Sequence, residues 1–120
     1  MLRTWLFVAI VSAGLLSAQL VSATDAYKLR KVCSEASRQD RVTGGYAGYP
    51  SGYCIGYIVA IVDMFENSVC WPRETVKNGQ LVDVVIKWLN DHPESLHLPA
   101  SHAITKAMQQ AFPCPAPTTR

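Results

Sequence analysis

The chain has 120 residues, four cysteines and a formal net charge of +2. That length suits one compact domain, and with 49% of residues apolar and 17% charged it is too apolar for a disordered chain. The near-neutral balance also argues against a nucleic-acid binder.

The N-terminus reads as a targeting segment rather than as part of the fold. Arg3 is followed by no charge until Asp25, and Trp5 to Leu16 is apolar but for Ser12 and Gly14. Val21 and Ala23 put small residues at the minus-three and minus-one positions of a cut after Ala23. Residues 1–23 are therefore expected to be a cleaved secretory signal, with export of the remaining chain. An uncleaved membrane anchor is the weaker reading, because Ser12, Gly14, Ser17, Gln19 and Ser22 leave the stretch only weakly apolar. No cysteine stands at the cut, which argues against a lipoprotein. The domain proper is expected at 24–114, with 115–120 as a flexible tail.

All four cysteines, Cys33, Cys54, Cys70 and Cys114, survive the cut. An even count in a short exported chain points to two disulfides. A domain of this size has a marginal core, and each bridge adds about 2–4 kcal/mol. A metal site is disfavoured: there is no Cys-x-x-Cys, and His92, His97 and His102 are spaced five apart, off any one helical face. They read as surface or loop residues, and neither a metal nor a cofactor is expected.

Ala26, Leu29, Val32, Cys33 and Ala36 fall three and four apart and predict a first helix over 25–39, capped by Thr24 or Asp25. Its charges, Lys28, Arg30, Lys31, Arg38 and Arg41 interleaved with Asp25, Glu35 and Asp40, describe a solvated face. Residues 42–53 hold four glycines and Pro50, which argue against regular helix there. The same stretch is rich in tyrosine, the make-up of a binding loop, although those tyrosines also serve to cover a core.

Ser51 is the expected cap of a second helix, 52–68. Tyr53, Ile55, Tyr57, Ile58, Val59, Ile61, Val62, Met64 and Phe65 make it apolar nearly all round, as in a central, buried helix. Gly52, Gly56 and Ala60 form a small-residue stripe that suits close packing, since the run ends at Asp63 and is too short to span a membrane. Asp63 and Glu66 read as a solvent-facing pair. Thr75 is the expected cap of helix three, 76–91, with the stripe Leu81, Val84, Val85, Trp88 and Leu89; Asn90 to Pro93 stops it. Helix four, 100–112, carries the strongest helical pattern, Ala100, Ala103, Ile104, Ala107, Met108, Ala111 and Phe112. The fold expected is all-α, a small up-down-like four-helix bundle.

Geometry selects among the three pairings. Cys54 and Cys70 bracket one expected helix and would stand about 24 Å apart, while a bridge needs Cα atoms within about 7 Å. If short connections make successive helices antiparallel, Cys54 and Cys114 lie at opposite ends. The pairing expected is thus Cys33–Cys54 and Cys70–Cys114. No phosphate loop or dinucleotide fingerprint is present, and a thiol nucleophile would need a free cysteine. These features describe an exported, disulfide-bridged helical protein that works by binding, not an enzyme.

An ordered set of short segments adds to this: Gly52-Tyr53-Cys54-Ile55-Gly56-Tyr57-Ile58 with Asp63, Cys70-Trp71-Pro72, Gln80-Leu81-Val82-Asp83-Val84-Val85, Trp88-Leu89, His92-Pro93-Glu94 and Ala111-Phe112-Pro113-Cys114. Over residues 50–114 the chain resembles the Rap/Tai family of periplasmic immunity proteins, with Cys33 in the place of the fourth cysteine. The resemblance implies a non-catalytic inhibitor, commonly a homodimer. Its partner would be a papain-like cysteine amidase that cuts peptidoglycan cross-links and is delivered by type VI secretion. Such an inhibitor needs a preformed element that fills a cleft. The candidate is the loop with Gly44, Gly45, Tyr46, Gly48 and Tyr49, and the turn at Trp71 is the alternative. The rival readings are a periplasmic helical chaperone and an envelope subunit that binds a resident partner.

Overall fold

The computed structural model describes residues 23–44 and 48–117. Four helices account for its regular structure: α1, Ala26–Thr43; α2, Gly48–Met64; α3, Asn78–Asp91; and α4, Ala100–Ala111. Single 3-10 turns stand at Glu66–Ser68 and Pro93–Ser95. The described residues contain no strand, only an isolated bridge between Asp25 and Pro99. The all-α, four-helix expectation holds. No described helix is long and apolar enough to cross a membrane. The expected leader, up to residue 22, lies outside the described residues.

One core joins the four helices. Leu29 and Cys33 of α1 and Cys54, Ile58 and Val62 of α2 pack with Leu81, Val85 and Leu89 of α3 and with Ile104 and Met108 of α4, all fully buried. Each large side chain of this set contributes about 1.5–3 kcal/mol by leaving water. The starts of α1 and α4 are held together by backbone groups that a lone helix leaves unmet. Ala26 N–H donates to the Leu98 carbonyl (2.9 Å), Tyr27 N–H to that of Leu96 (3.0 Å), and Ala100 N–H to that of Thr24 (2.8 Å). Asp25 is the cap of α1, and its Oδ1 accepts from Lys28 N–H at 2.7 Å. Between α3 and α4, Trp88 Nε1–H donates to Gln110 Oε1 at 2.8 Å.

The second helix departs most from expectation. It starts at Gly48 rather than 52, so helix occupies part of a stretch whose glycines and proline argue against it. Pro50 sits in the first turn, where a missing N–H leaves no hydrogen bond unmade. Ser51 is not a cap; it is buried, and its hydroxyl donates to Asp40 Oδ1 at 2.8 Å. Nor is α2 central. Ser51, Cys54, Ile58 and Val62 form its single buried stripe, and Gly52, Gly56, Ala60 and Met64 on the opposite side are exposed. An all-round apolar helix has no phase in its pattern to say which side faces inward.

Other boundaries move by a turn or less. The first helix runs on to Thr43 and is closed by Gly44 in the left-handed region (φ 74°), whose N–H donates to the Asp40 carbonyl at 2.9 Å; the missing Cβ makes that conformation cheap. The second helix ends at Met64, where 68 was expected, and a 3-10 turn follows. Thr75 does not cap α3: its N–H and hydroxyl both turn back to the Pro72 carbonyl. The cap position belongs to Lys77, whose N–H donates to Gln80 Oε1 at 2.9 Å. Helix α4 stops at Ala111, one residue short, and 115–117 are exposed without regular structure.

The disulfides pair as expected. Cys33–Cys54 joins α1 to α2 with Cα atoms 5.1 Å apart, and Cys70–Cys114 joins the segment after α2 to the end of α4 with Cα atoms 4.8 Å apart. The first bridge is buried and the second is exposed.

Candidate partner-binding surfaces

The turn between α1 and α2 is the first surface. Gly44 and Gly48, at its two ends, both have positive φ (74° and 80°), a conformation that side chains disfavour. Cys33–Cys54 and the Ser51–Asp40 hydrogen bond fasten the two helices beneath it. The connection is therefore short and held at both ends. Tyr49, in the first turn of α2, is 77% exposed. Gly45 and Tyr46 lie outside the described residues. Beside the turn, Ser37, Asp40, Arg41, Ser51, Ile55 and Asp83 line an open cleft of about 330 Å³. Gly79, in the first turn of α3, lines it too.

From Tyr49 an aromatic ladder runs down α2 at the helical spacing. Tyr49 and Tyr53, and then Tyr53 and Tyr57, have ring centroids 5.8 Å apart. The Tyr53 hydroxyl is 2.8 Å from Thr24 Oγ1, which ties the ladder to the start of α1. Tyr57 is half-buried, and its hydroxyl is pushed above its ordinary pKa of 10.0, first by burial and then by the neighbouring Tyr53.

Trp71 belongs to a separate surface beyond the far end of α2. Arg73 stacks its guanidinium over the Trp71 ring at 5.3 Å and reaches Asp63 at 3.2 Å and Glu66 at 3.1 Å. Tyr49 and Asp63, fourteen residues apart on one helix, are about 20 Å apart. The structure thus does not bring Trp71 together with the 44–49 turn. Asp63 and Glu66 are exposed, as the sequence suggests, but they also hold Arg73, which i,i+3 spacing alone does not reveal. Each such exposed pair is worth about 0–1 kcal/mol; their joint effect is to fix the 65–77 connection against α2. The Trp71 indole N–H is buried without a hydrogen-bond partner.

The histidines are scattered. His92 stacks on Trp88 (centroids 4.2 Å) with its Nδ1 2.8 Å from the Trp88 carbonyl oxygen, and His97 and His102 are exposed. Among the described residues no three His, Cys, Asp or Glu side chains gather as metal ligands would, and no cysteine is free.

Fold and surfaces together define a small helical domain, closed by two disulfides, that presents Tyr49 at the start of a tyrosine-bearing helix to solvent. The chain belongs to the family of Rap1a immunity proteins, whose model matches residues 18–114. The match reaches back through α1, which carries none of the short segments on which the resemblance rests. Neither a curated protein nor a solved structure matches the chain.

Proposed function

We propose that the protein is a periplasmic immunity protein that binds and silences a peptidoglycan-cleaving cysteine amidase delivered by type VI secretion. The observation that carries this reading is the family match over residues 18–114. The leader-like residues 1–23 and the two disulfides favour the same compartment, since disulfides persist where the surroundings oxidise. The protein acts by occupying the toxin rather than by chemistry of its own, and it does so as a homodimer.

The stretch 44–49 supplies the element that enters the toxin's cleft. Left-handed Gly44 and Gly48 and the Cys33–Cys54 bridge fix where it leaves α1 and joins α2, which reduces the ordering that binding would otherwise require. Tyr46 and Tyr49 offer large, stiff contact area, the usual composition of interface hot spots. Purified protein titrated into the cognate amidase should abolish cleavage of a peptidoglycan cross-link peptide at one chain per toxin. Replacing Tyr46 and Tyr49 together by alanine should weaken binding at least about 30-fold, the equivalent of one hot spot, with helicity unchanged. An unchanged affinity in that variant would move the contact to Trp71 and Arg73, and no binding to any amidase of this class would refute the proposed partner.

A further inference from the structure

The cleft beside the 44–49 turn has no part in the toxin contact proposed above. Residues from the end of α1, the start of α2 and the first two turns of α3 wall it. Its floor is apolar, with Ala36, Cys54, Ile55 and Val82, and its rim carries Asp40, Arg41 and Asp83. A volume of about 330 Å³ stands at the small end of the range for ligand clefts, and an apolar floor under a few polar groups is their usual make-up. The rim charges are only partly taken up within the chain. The buried Ser51 hydroxyl donates to Asp40 Oδ1 at 2.8 Å. The side chains of Arg41 and Asp83, both exposed, hold no ion pair and no hydrogen bond among the described residues. Lys87 stands one turn beyond Asp83, at the i,i+4 spacing that favours a pair, yet it reaches Asp91 instead at 2.6 Å. Nor do Arg41 and Asp83 pair with each other, although both line this cleft.

We propose that the cleft binds a short peptide with a free ammonium and a free carboxylate. Two opposite charges held apart over one cleft match a ligand that carries both signs at separate points. Asp83 takes the ammonium. Arg41 takes the carboxylate, which its planar fork fits with two parallel hydrogen bonds. The aliphatic side chains of the peptide lie on the floor, out of water. A peptide suits the site better than a single amino acid. In an amino acid the two charges flank one carbon, whereas each further residue separates them by up to about 3.3–3.6 Å. The cleft also continues past Ser37, Arg41 and Asp83 into a more open groove between α1 and α3 that reaches Ser34 and Asn90, so there is room for a chain to run on. The inference does not depend on the toxin reading, since it uses neither Tyr46, Tyr49 nor Trp71.

The test is a titration of the purified protein, followed by backbone amide NMR shifts, with four probes: L-alanyl-L-alanine, its N-acetyl form, its C-terminal amide and free L-alanine. The wild type should bind the dipeptide with shifts centred on Arg41, Ser51 and Asp83. Each capped form should bind at least about 10-fold more weakly, because each loses one charged contact. Free alanine should also bind more weakly. The two rim residues are exposed and unpartnered, so Asp83→Asn and Arg41→Gln should leave circular dichroism unchanged. Asp83→Asn should bind the dipeptide and its N-acetyl form alike, and Arg41→Gln should bind the dipeptide and its amide alike. No binding of the dipeptide up to about 10 mM, where a site with a Kd of about 1 mM would be nine-tenths filled, overturns the site. Capped forms that bind the wild type as tightly as the dipeptide, or shifts centred elsewhere, overturn the roles of Arg41 and Asp83. Alanine binding as tightly as the dipeptide overturns the peptide as the ligand.

Discussion

Tyr57 shows how one residue reports on its surroundings. Burial and the neighbouring Tyr53 both favour its neutral hydroxyl, so its folded pKa lies above the unfolded value near 10.0. The unfolded chain therefore ionises first as pH rises. The stability that this group contributes is fully present below pH 10 and is lost as pH climbs from there through the folded pKa. Melting temperatures of wild type and Tyr57→Phe measured across pH 8–11 should run together at pH 8 and diverge above pH 10, the wild type falling more steeply. Parallel curves would show that the hydroxyl meets the same surroundings in both states. Ser51 makes a complementary point. Its identity suggests a helix cap, yet it is buried against Asp40, because the helix begins one turn earlier than its glycines and proline suggest.

At the scale of elements, legibility follows amphipathicity. Helix α4 is read to within a residue because Ala100, Ala103, Ile104, Ala107 and Met108 mark one buried side. Helix α2 has apolar residues on every side, so its pattern says helix without saying which side is inside. The two disulfides divide the elements unequally. Cys33–Cys54 is enclosed by the core, whereas Cys70 and Cys114 are exposed at the end of α4. Thiol exchange needs access to a sulfur, so graded reduction followed by alkylation and mass analysis should release Cys70–Cys114 first. Cys33–Cys54 should open only as the chain unfolds, and its replacement by serines should cost about 2–4 kcal/mol. Release in the opposite order would mean that α1 and α2 separate more readily than the core packing allows.

For the whole molecule, the bridge at Cys114 is the last tie among the described residues. Residues 115–117 beyond it are exposed and make no regular structure, and we propose that the tail 115–120 takes no part in the core. The truncated protein should melt within about 2 °C of the full chain, well under the shift from a 1 kcal/mol change in a domain of this size, and should bind toxin equally. A larger drop would assign the tail a structural role.

Composition, helical periodicity and the cysteines by themselves determined the class of fold, the four helices and the two bridges, while the family was legible only as a resemblance carried by the ordered short segments between Gly52 and Cys114. Fold class, helices and bridges depend on local spacing and on the reach of a covalent bond, both of which are written along the chain. Tertiary structure alone decided that α2 lies at the surface, that Arg73 joins Asp63 and Glu66 beneath Trp71, and that Trp71 stands apart from the 44–49 turn. Those outcomes depend on which elements compete for the same buried space. In α2 the competition was settled by the packing of Cys54, Ile58 and Val62 against α1, α3 and α4, which left an equally apolar side facing outward.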